Sequence, residues 1–473
     1  MEQHSLTFRR TSNRLISRAA KIIIAGLLLL TAMPIYGQDS SAANTLTITQ
    51  AITIALRNNF TLKQSMTQVK SSRYSLDQAG TAFLPNLSAS LSGSRNYVPF
   101  RGGSATRISS EGGQSVSANL SADINLFNGF YDYANYRASQ RTYSAQESSY
   151  TFAKQQLTFQ TISQFLQVVQ NLDFIRVAEE NLASQQQQLD QIQAFFDQGN
   201  KSIADVLLQK ANVAQAQLQL LTAQQTWETS RYTLLQTLGQ PPTAPFEFRA
   251  LDVENINSTL DTLAPVTDTQ TVFQNRFDVR SQVLQMEAAR EQIRAASSGF
   301  WPSLSLSAGI GSDYSSLDTQ DPFHRQFSNN RSGTIGLSLS IPIFDRFVTL
   351  NNVRQAQQQL DNQRYVLKDL ELTVNTQYQQ ALLDYRTAVR KRTSAYAEYQ
   401  YTQQALDAVK AQYEVGAATI ITLTQTRAQD LNAHYSLIAA EYNKLLQYLA
   451  VMYQTGRIDD GVTMLKRETG KRK

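Results

Sequence analysis

VSANLSADINLFNG, residues 116–129, alternates apolar and polar residues without a break from Val116 to Leu126, then stops at Phe127-Asn128-Gly129. Val116, Ala118, Leu120, Ala122, Ile124 and Leu126 share one face, and Ser117, Asn119, Ser121, Asp123 and Asn125 the other. A period of two is the signature of a strand, here apolar on one side and wet on the other. The same pattern returns in IGLSLSIPIFDR, residues 335–346, and in shorter form at Leu87-Ser88-Ala89-Ser90-Leu91 and at Leu304-Ser305-Leu306-Ser307-Ala308. Segments of about ten residues suit a tilted membrane strand. Strands are expected over about 86–96, 115–127, 303–311 and 333–344. An ordinary soluble hairpin pair is the alternative, and the serine-only second face favours water over a packed core.

These four stretches belong to two copies of one unit. An offset of 217 residues carries Asn58 onto Asn275, Phe83-Leu84-Pro85 onto Phe300-Trp301-Pro302, Phe127 onto Phe344, Gly199 onto Gly416 and Gly239 onto Gly456. Chance matches would drift out of register, so the chain is a tandem repeat. Each copy opens with a helical stretch, Ile48–Ala79 or Thr269–Ala296. It leaves helix before Pro85 or Pro302, because proline disfavours the helical conformation in the residue before it. Phe127 and Phe344 mark the switch from strand back to helix. Between the paired strands, Tyr97–Gln114, rich in Gly, Ser and Arg, and Ser312–Arg331, rich in Ser, Asn and Arg, read as long exposed loops. Long loops at one end and helices at the other place the loops outside the cell and the helices in the periplasm.

From Gly129 to Gly199, and from Arg346 to Gly416, the pattern is helical with almost no proline or glycine. Each such run would be on the order of 100 Å long. Val168, Ile175, Leu182, Leu189 and Phe196 repeat every seven residues, as do Val206, Val213, Leu220, Trp227 and Leu234. These seams are coiled-coil-like and thin. Gly199 and Gly416 read as hairpin tips, where a left-handed residue stops the helix. The tyrosines from Tyr385 to Tyr413 read either as an aromatic lining or as interhelical packing.

Composition excludes several classes of function. The chain of 473 residues has no cysteine and three histidines, so disulfides, thiolate chemistry and His-rich metal sites have nothing to be built from. No catalytic residue, cofactor or metal ligand is assigned, and no enzyme is expected. Arg9, Arg10, Arg14, Arg18 and Lys21 precede the apolar run Ile22–Ala32, and Gly37 supplies a small residue for cleavage. Residues 1–37 therefore read as a signal peptide, the apolar run being well short of the roughly 20 residues of a membrane helix. The tail 457–473 is basic and reads as a loose end. With both basic ends set aside, the body carries roughly −2 and has no face for nucleic acid. The two repeats occupy residues 38–250 and 251–456.

Four strands cannot close a barrel, so the chain must oligomerise. Two chains would give eight strands filled by side chains, and three would give twelve with room for a pore. A stalk with a barrel anchor would use the long helices too, but leaves each copy's mid-sequence entry into the membrane unexplained.

The chain resembles the TolC family of outer-membrane efflux and secretion channels over nearly its whole mature length. The resemblance is carried by the tandem repeat, Phe83-x-Pro85 and Phe300-x-Pro302, Leu126-Phe127-Asn128-Gly129, Pro342-Ile343-Phe344-Asp345, and the hairpin Tyr413-Glu414-Val415-Gly416-Ala417-Ala418-Thr419. It implies a mixed α and β fold, a homotrimer with a twelve-stranded outer-membrane β-barrel in outer-membrane lipid and a twelve-helix periplasmic barrel beneath. It implies a periplasmic membrane fusion (adaptor) protein docking at Gly199, Val415 and Gly416, and through it an inner-membrane pump of the RND or ABC type. It also implies a periplasmic gate, to which Asp205 and Tyr413 correspond. Gln198 departs from the Val-Gly pair seen at Val415-Gly416. Ala418, Thr422 and Gln425 stand where Arg and two Asp are often found.

Overall fold

A computed structural model describes residues 44–96, 113–249, 251–260 and 269–470. The expected signal peptide, loop residues 97–112 and residues 471–473 lie outside the described residues. The chain divides into two compact units. One is Met1–Thr45 with Pro245–Glu247, of which short pieces of β1 (Asn44–Leu46) and β4 (Phe246–Phe248) are described. The other, Leu46–Ala244 with Phe248–Lys473, carries everything that follows.

Its elements run α1 (Ile48–Asn58), α2 (Phe60–Thr81), β2 (Asn86–Arg95), β3 (Gln114–Asn128), α3 (Tyr131–Asp197) and α4 (Ile203–Thr237). Then follow α5 (Val253–Leu260), α6 (Thr269–Asn275), α7 (Phe277–Ala296), β5 (Ser303–Ser315), α8 (Phe323–Asn329), β6 (Arg331–Ser340), α9 (Val348–Glu414), α10 (Ile420–Gln454) and α11 (Ile458–Gly470). The 217-residue offset recurs at both ends of the long helices, from Tyr131 to Val348 and from Asp197 to Glu414. At 67 residues each, α3 and α9 are about 100 Å long. Among the described residues no helix is long and apolar enough to cross a membrane.

The four strands form one antiparallel sheet in the order β2-β3-β5-β6. Pairing keeps like faces together: Ser121 stands opposite Ser88 on one side and Gly309 on the other, and Leu306 opposite Leu337. Hydroxyls bridge the polar face in a ladder, Ser88–Ser121 at 2.8 Å, Ser92–Ser117 at 2.7 Å and Ser94–Ser115 at 2.8 Å. The outer strands β2 and β6 are exposed along their whole length.

Five sequence expectations need correction. The stretch Ile48–Ala79 is two helices, because Asn59 leaves helical geometry (φ −57°, ψ 127°). Its side chain caps α2 by accepting from the Leu62 amide and donates to the Thr237 carbonyl at 2.9 Å. Thr269–Ala296 breaks likewise at Arg276, whose guanidinium is held by Asp278 at 2.6 Å and by Gln454 Oε1 at 2.6 Å. The fourth strand ends at Ser340, opposite Ser303 where β5 begins, so Ile341–Phe344 has no strand left to pair with. Pro342 could donate no ladder bond in any case. The third strand continues to Ser315, and the loop expected over Ser312–Arg331 contains α8. The tail is not loose: α11 buries Ile458 and Leu465, with Asp459 and Asp460 in its first turn and Arg467 in its last, as the helix dipole prefers.

The repeat's matched residues meet each other in space. Gly239 has φ +65°, and a Cβ there would lie 2.9 Å from the Asn58 carbonyl oxygen. In the second copy Gly456, at φ +70°, stands in the same relation to Asn275 at 2.7 Å. The return helix of each copy is thus seated on the end of that copy's first helix. Gly456→Ala is expected to lower thermal stability by about 1–3 kcal/mol, combining left-handed strain with a clash against backbone. Gly199→Ala, left-handed but with nothing within 4 Å of its Cβ, should lose only about 1 kcal/mol. Equal shifts in the two melting curves would show that the Asn275 contact contributes nothing.

Candidate functional site

The ends of the two hairpins come together at one place. In the first, Gly199 (φ +76°) closes α3, with its amide donating to the Phe196 carbonyl at 2.8 Å and that of Asn200 to Phe195 at 2.9 Å. Ser202 then starts α4 with a capping box, in which Asp205 accepts from the Ser202 amide at 3.2 Å and from its hydroxyl at 2.9 Å. In the second, Gly416 (φ +79°) closes α9 and Thr419 caps α10 by accepting from the Thr422 amide. Neither glycine has an atom within 4 Å of a would-be Cβ, and Val415 is 80% exposed. The tips present bare backbone together with apolar side chains, Val415 foremost among them, to the surroundings.

Just inside the tips, Ile192 of α3, Val206 of α4, Tyr413 of α9 and Ile420 and Leu423 of α10 form an apolar cluster, with Leu189, Phe196 and Leu406 against it. Tyr413 is 7% exposed and its hydroxyl has no hydrogen-bond partner among the described residues. The Lys201 ammonium lies 4.6 Å from the centre of its ring. Asp205 and Tyr413 are therefore neighbours of one cluster that do not bond each other, since the carboxylate is committed to its own helix cap. Pro85 lies between α2 and β2, and Pro302 between the short turn Ser297–Phe300 and β5. Phe127 sits inside β3 beside an irregularity in its pairing with β5, whereas Phe344 lies beyond β6. Both rings pack edge-on against a phenylalanine in left-handed geometry, Phe130 at 5.1 Å and Phe347 at 5.6 Å.

A polar seam deeper in the hairpins has no counterpart in the sequence reading. Gln209 Nε2 donates to Gln185 O and Oε1, both at 2.8 Å, and Arg427 Nη1 donates to the same Oε1 at 3.4 Å. Asn212 bridges Gln209 and Thr424 at 3.2 and 3.3 Å. Three helices, α3, α4 and α10, are thereby tied across a buried interface. Burial pushes the Arg427 guanidinium below its usual pKa. The signal available in sequence was a charge on a stripe otherwise apolar, Leu423-Arg427-Leu431, stepping by four.

Tyrosines on α9 differ in burial. Tyr378, Tyr385 and Tyr413 are buried between helices, while Tyr401 is exposed. His434 is interhelical, its ring stacked on Tyr399 at 4.6 Å. Trp227 is half-buried beneath the Arg231 guanidinium.

Fold and site together define an outer-membrane channel protein, with a membrane sheet continued by long helical hairpins. The family description "Outer membrane efflux protein" matches residues 51–240 and 269–457, one block per repeat, and the chain belongs to that family. It is 25% identical over 349 residues to the outer membrane protein TolC of Escherichia coli, covering 72% of this chain and 70% of that one. To the outer membrane efflux protein BepC of Brucella suis it is 23% identical over 454 residues, covering 94% and 92%. Among solved structures, the CmeC outer membrane channel of Campylobacter jejuni shares the fold with a TM-score of 0.75 at 18% identity, over 89% of each chain.

The environment of His434 gives a pH prediction. Burial holds its pKa below 6.5 against the upward pull of Glu180, Asp430 and Asp173, with Arg176 adding to the depression. A depressed histidine contributes stability above pH 6.5 that is lost as pH falls through the folded-state value. Burial raises the carboxyls of Asp430 and Glu441, which work in the opposite sense. His434→Gln is therefore expected to show a smaller loss of melting temperature than wild type between about pH 7 and pH 5. An unchanged pH dependence would remove His434 from the account.

Proposed function

We propose that three copies of this chain close one twelve-stranded barrel and one helical tunnel, forming a passive export duct across outer membrane and periplasm. The observation that carries this reading is the pair of open sheet edges, β2 and β6, taken with the repeat. Within one chain, β3 of the first copy pairs with β5 of the second. Applying the same relation once more sets β6 against β2 of the next chain. The helices follow suit: α10 packs on α3 within the chain, so α4 would pack on α9 of the neighbour. The side chains Leu218 and Leu221, exposed on α4, support this, because their repeat partners Tyr435 and Ile438 lie in the covered interface of α10.

The tips are where a periplasmic adaptor protein would dock. Gly199 and Gly416 let a partner helix approach the backbone, and Val415 offers an apolar contact. The adaptor would connect the duct to an inner-membrane pump of the RND or ABC type, which supplies the energy. The periplasmic entrance is assigned to Tyr413 and Asp205. Tyr413 brings a buried hydroxyl in want of a partner, and Asp205 would contribute only by leaving its cap, at about 1 kcal/mol.

The repeat fixes the register at the seam. Ser121 faces Gly309, so shifting both by the repeat puts Ser338 opposite Ser92 of a second copy. The chain has no native cysteine, so there is no background. Ser338→Cys combined with Ser92→Cys should give covalently linked species that stop at three chains. Ser338→Cys with Ser88→Cys should not cross-link, being four residues out of register. A ladder running past three, or none in the outer-membrane fraction, would refute the closed trimer.

A further inference from the structure

The loop between β5 and β6 builds a groove on the apolar side of the sheet. Residues 304–314 of even number share the apolar face of β5, and α8 folds over that face. Ser312 Oγ donates to the Phe327 carbonyl at 2.6 Å, and the Tyr314 ring meets Phe323 at 4.9 Å. Gln326, almost fully buried, locks the loop: its Nε2 donates to the carbonyls of Asp318 and Asp321, and its Oε1 accepts from the Ser315 amide. Beneath α8 lies an open groove of about 620 Å³. Its floor is Leu91, Ala118, Leu120 and Ile310, with Phe327 and Arg331 at its upper end.

Small residues make the depression. Ala118 and Ser312 stand side by side across β3 and β5, and Arg331 opens β6 directly opposite Ser312. Alternation therefore puts Arg331 on the apolar face, next to the loop end of the strands. On α8, Arg325 has Asp321 at 3.8 Å, but no carboxylate pairs with Arg331 among the described residues. A cation at the rim of a hydrocarbon-facing surface belongs at the level of lipid headgroups, and a guanidinium matches a phosphate in charge and shape. The groove's volume falls within the range of roughly 300–1,000 Å³ typical of ligand sites.

We propose that this groove binds an anionic lipid of the surrounding membrane that carries a phosphate monoester with no cation of its own to balance it, one acyl chain lying over Ala118 and Ile310 and that phosphate resting on Arg331. The proposal rests on the reading of the sheet as a barrel wall with its apolar face outward. The lipid joins the α8 loop to the strands at the outer rim, so it acts as a structural ligand of the barrel mouth.

Native mass spectrometry of the detergent-extracted full chain tests this, with bis-phosphorylated lipid A as the probe and phosphatidylcholine and inorganic phosphate as competitors. Wild type should retain lipid A in preference to phosphatidylcholine, up to one per chain. Arg331→Gln should weaken retention by about tenfold, the loss of one charge-assisted contact. Ala118→Leu, which fills the groove and leaves the guanidinium in place, should weaken it comparably. Retention unchanged in both variants would overturn the proposal and point to residues 97–112 or a second copy as the groove's occupant. Displacement by inorganic phosphate alone, or equal retention of phosphatidylcholine, would overturn it too. The Ser338–Ser92 cross-link, measured in the same variants, separates this outcome from failure of the barrel reading: a lost lipid with an intact cross-link concerns the groove only.

Discussion

In hydrocarbon every backbone N–H and C=O must find a protein partner, because no water is there to replace one. A four-stranded sheet that is apolar on one face leaves two strand edges unanswered, each a row of polar groups. The internal repeat answers both at once, since the relation that sets β5 beside β3 is available again between β6 and a second copy of β2. The serine ladder on the other face costs little in water, where its hydroxyls bond across strands or to solvent. The same open edges that one chain leaves unpaired are the ones the proposed assembly would use.

The helical hairpins obey a different constraint. They are wet on much of their surface, so thin seams must hold about 100 Å of helix in one register. Apolar contacts alone tolerate sliding by a heptad. The polar knot of Gln185, Gln209 and Arg427, all buried, with half-buried Asn212 and Thr424 at its margin, does not, because a displaced Gln185, Gln209 or Arg427 would lose its partner in a covered interface. A buried guanidinium with no carboxylate partner among the described residues is a poor stabiliser, and what it adds is specificity of alignment between hairpins.

Strand existence, hairpin tips and the repeat were legible in the sequence because each depends on local chemistry: period-two alternation, a left-handed glycine, an offset that does not drift. Three features went unread: two depend on side-chain bonds to backbone elsewhere in the fold or loop, and the third is a local cap. Asn59 ends a helix because Thr237, far along the chain, accepts its amide. The α8 loop is held by a single glutamine, Gln326, that bonds three backbone groups, which the polar composition around it conceals. Asp205 forms a capping box with Ser202, three residues before it, a local Ser-x-x-Asp pattern present in the sequence. The sequence located the hairpin tips at Gly199 and Gly416, but not the bonding partners of the residues around them.

The long helices of the two copies have identical lengths, and so do the returning ones, 67 and 35 residues in each. The hairpins are therefore a matched pair of rulers. Adding one residue to a single helix would turn its tip by about 100° and carry it about 1.5 Å out of plane, spoiling the shared apolar cluster at Tyr413 and Ile192. Length changes can survive only as whole heptads, entered on both legs of a hairpin and in both copies together. The distance such a protein spans is consequently a quantised quantity, adjustable in steps of about 10 Å and not in between.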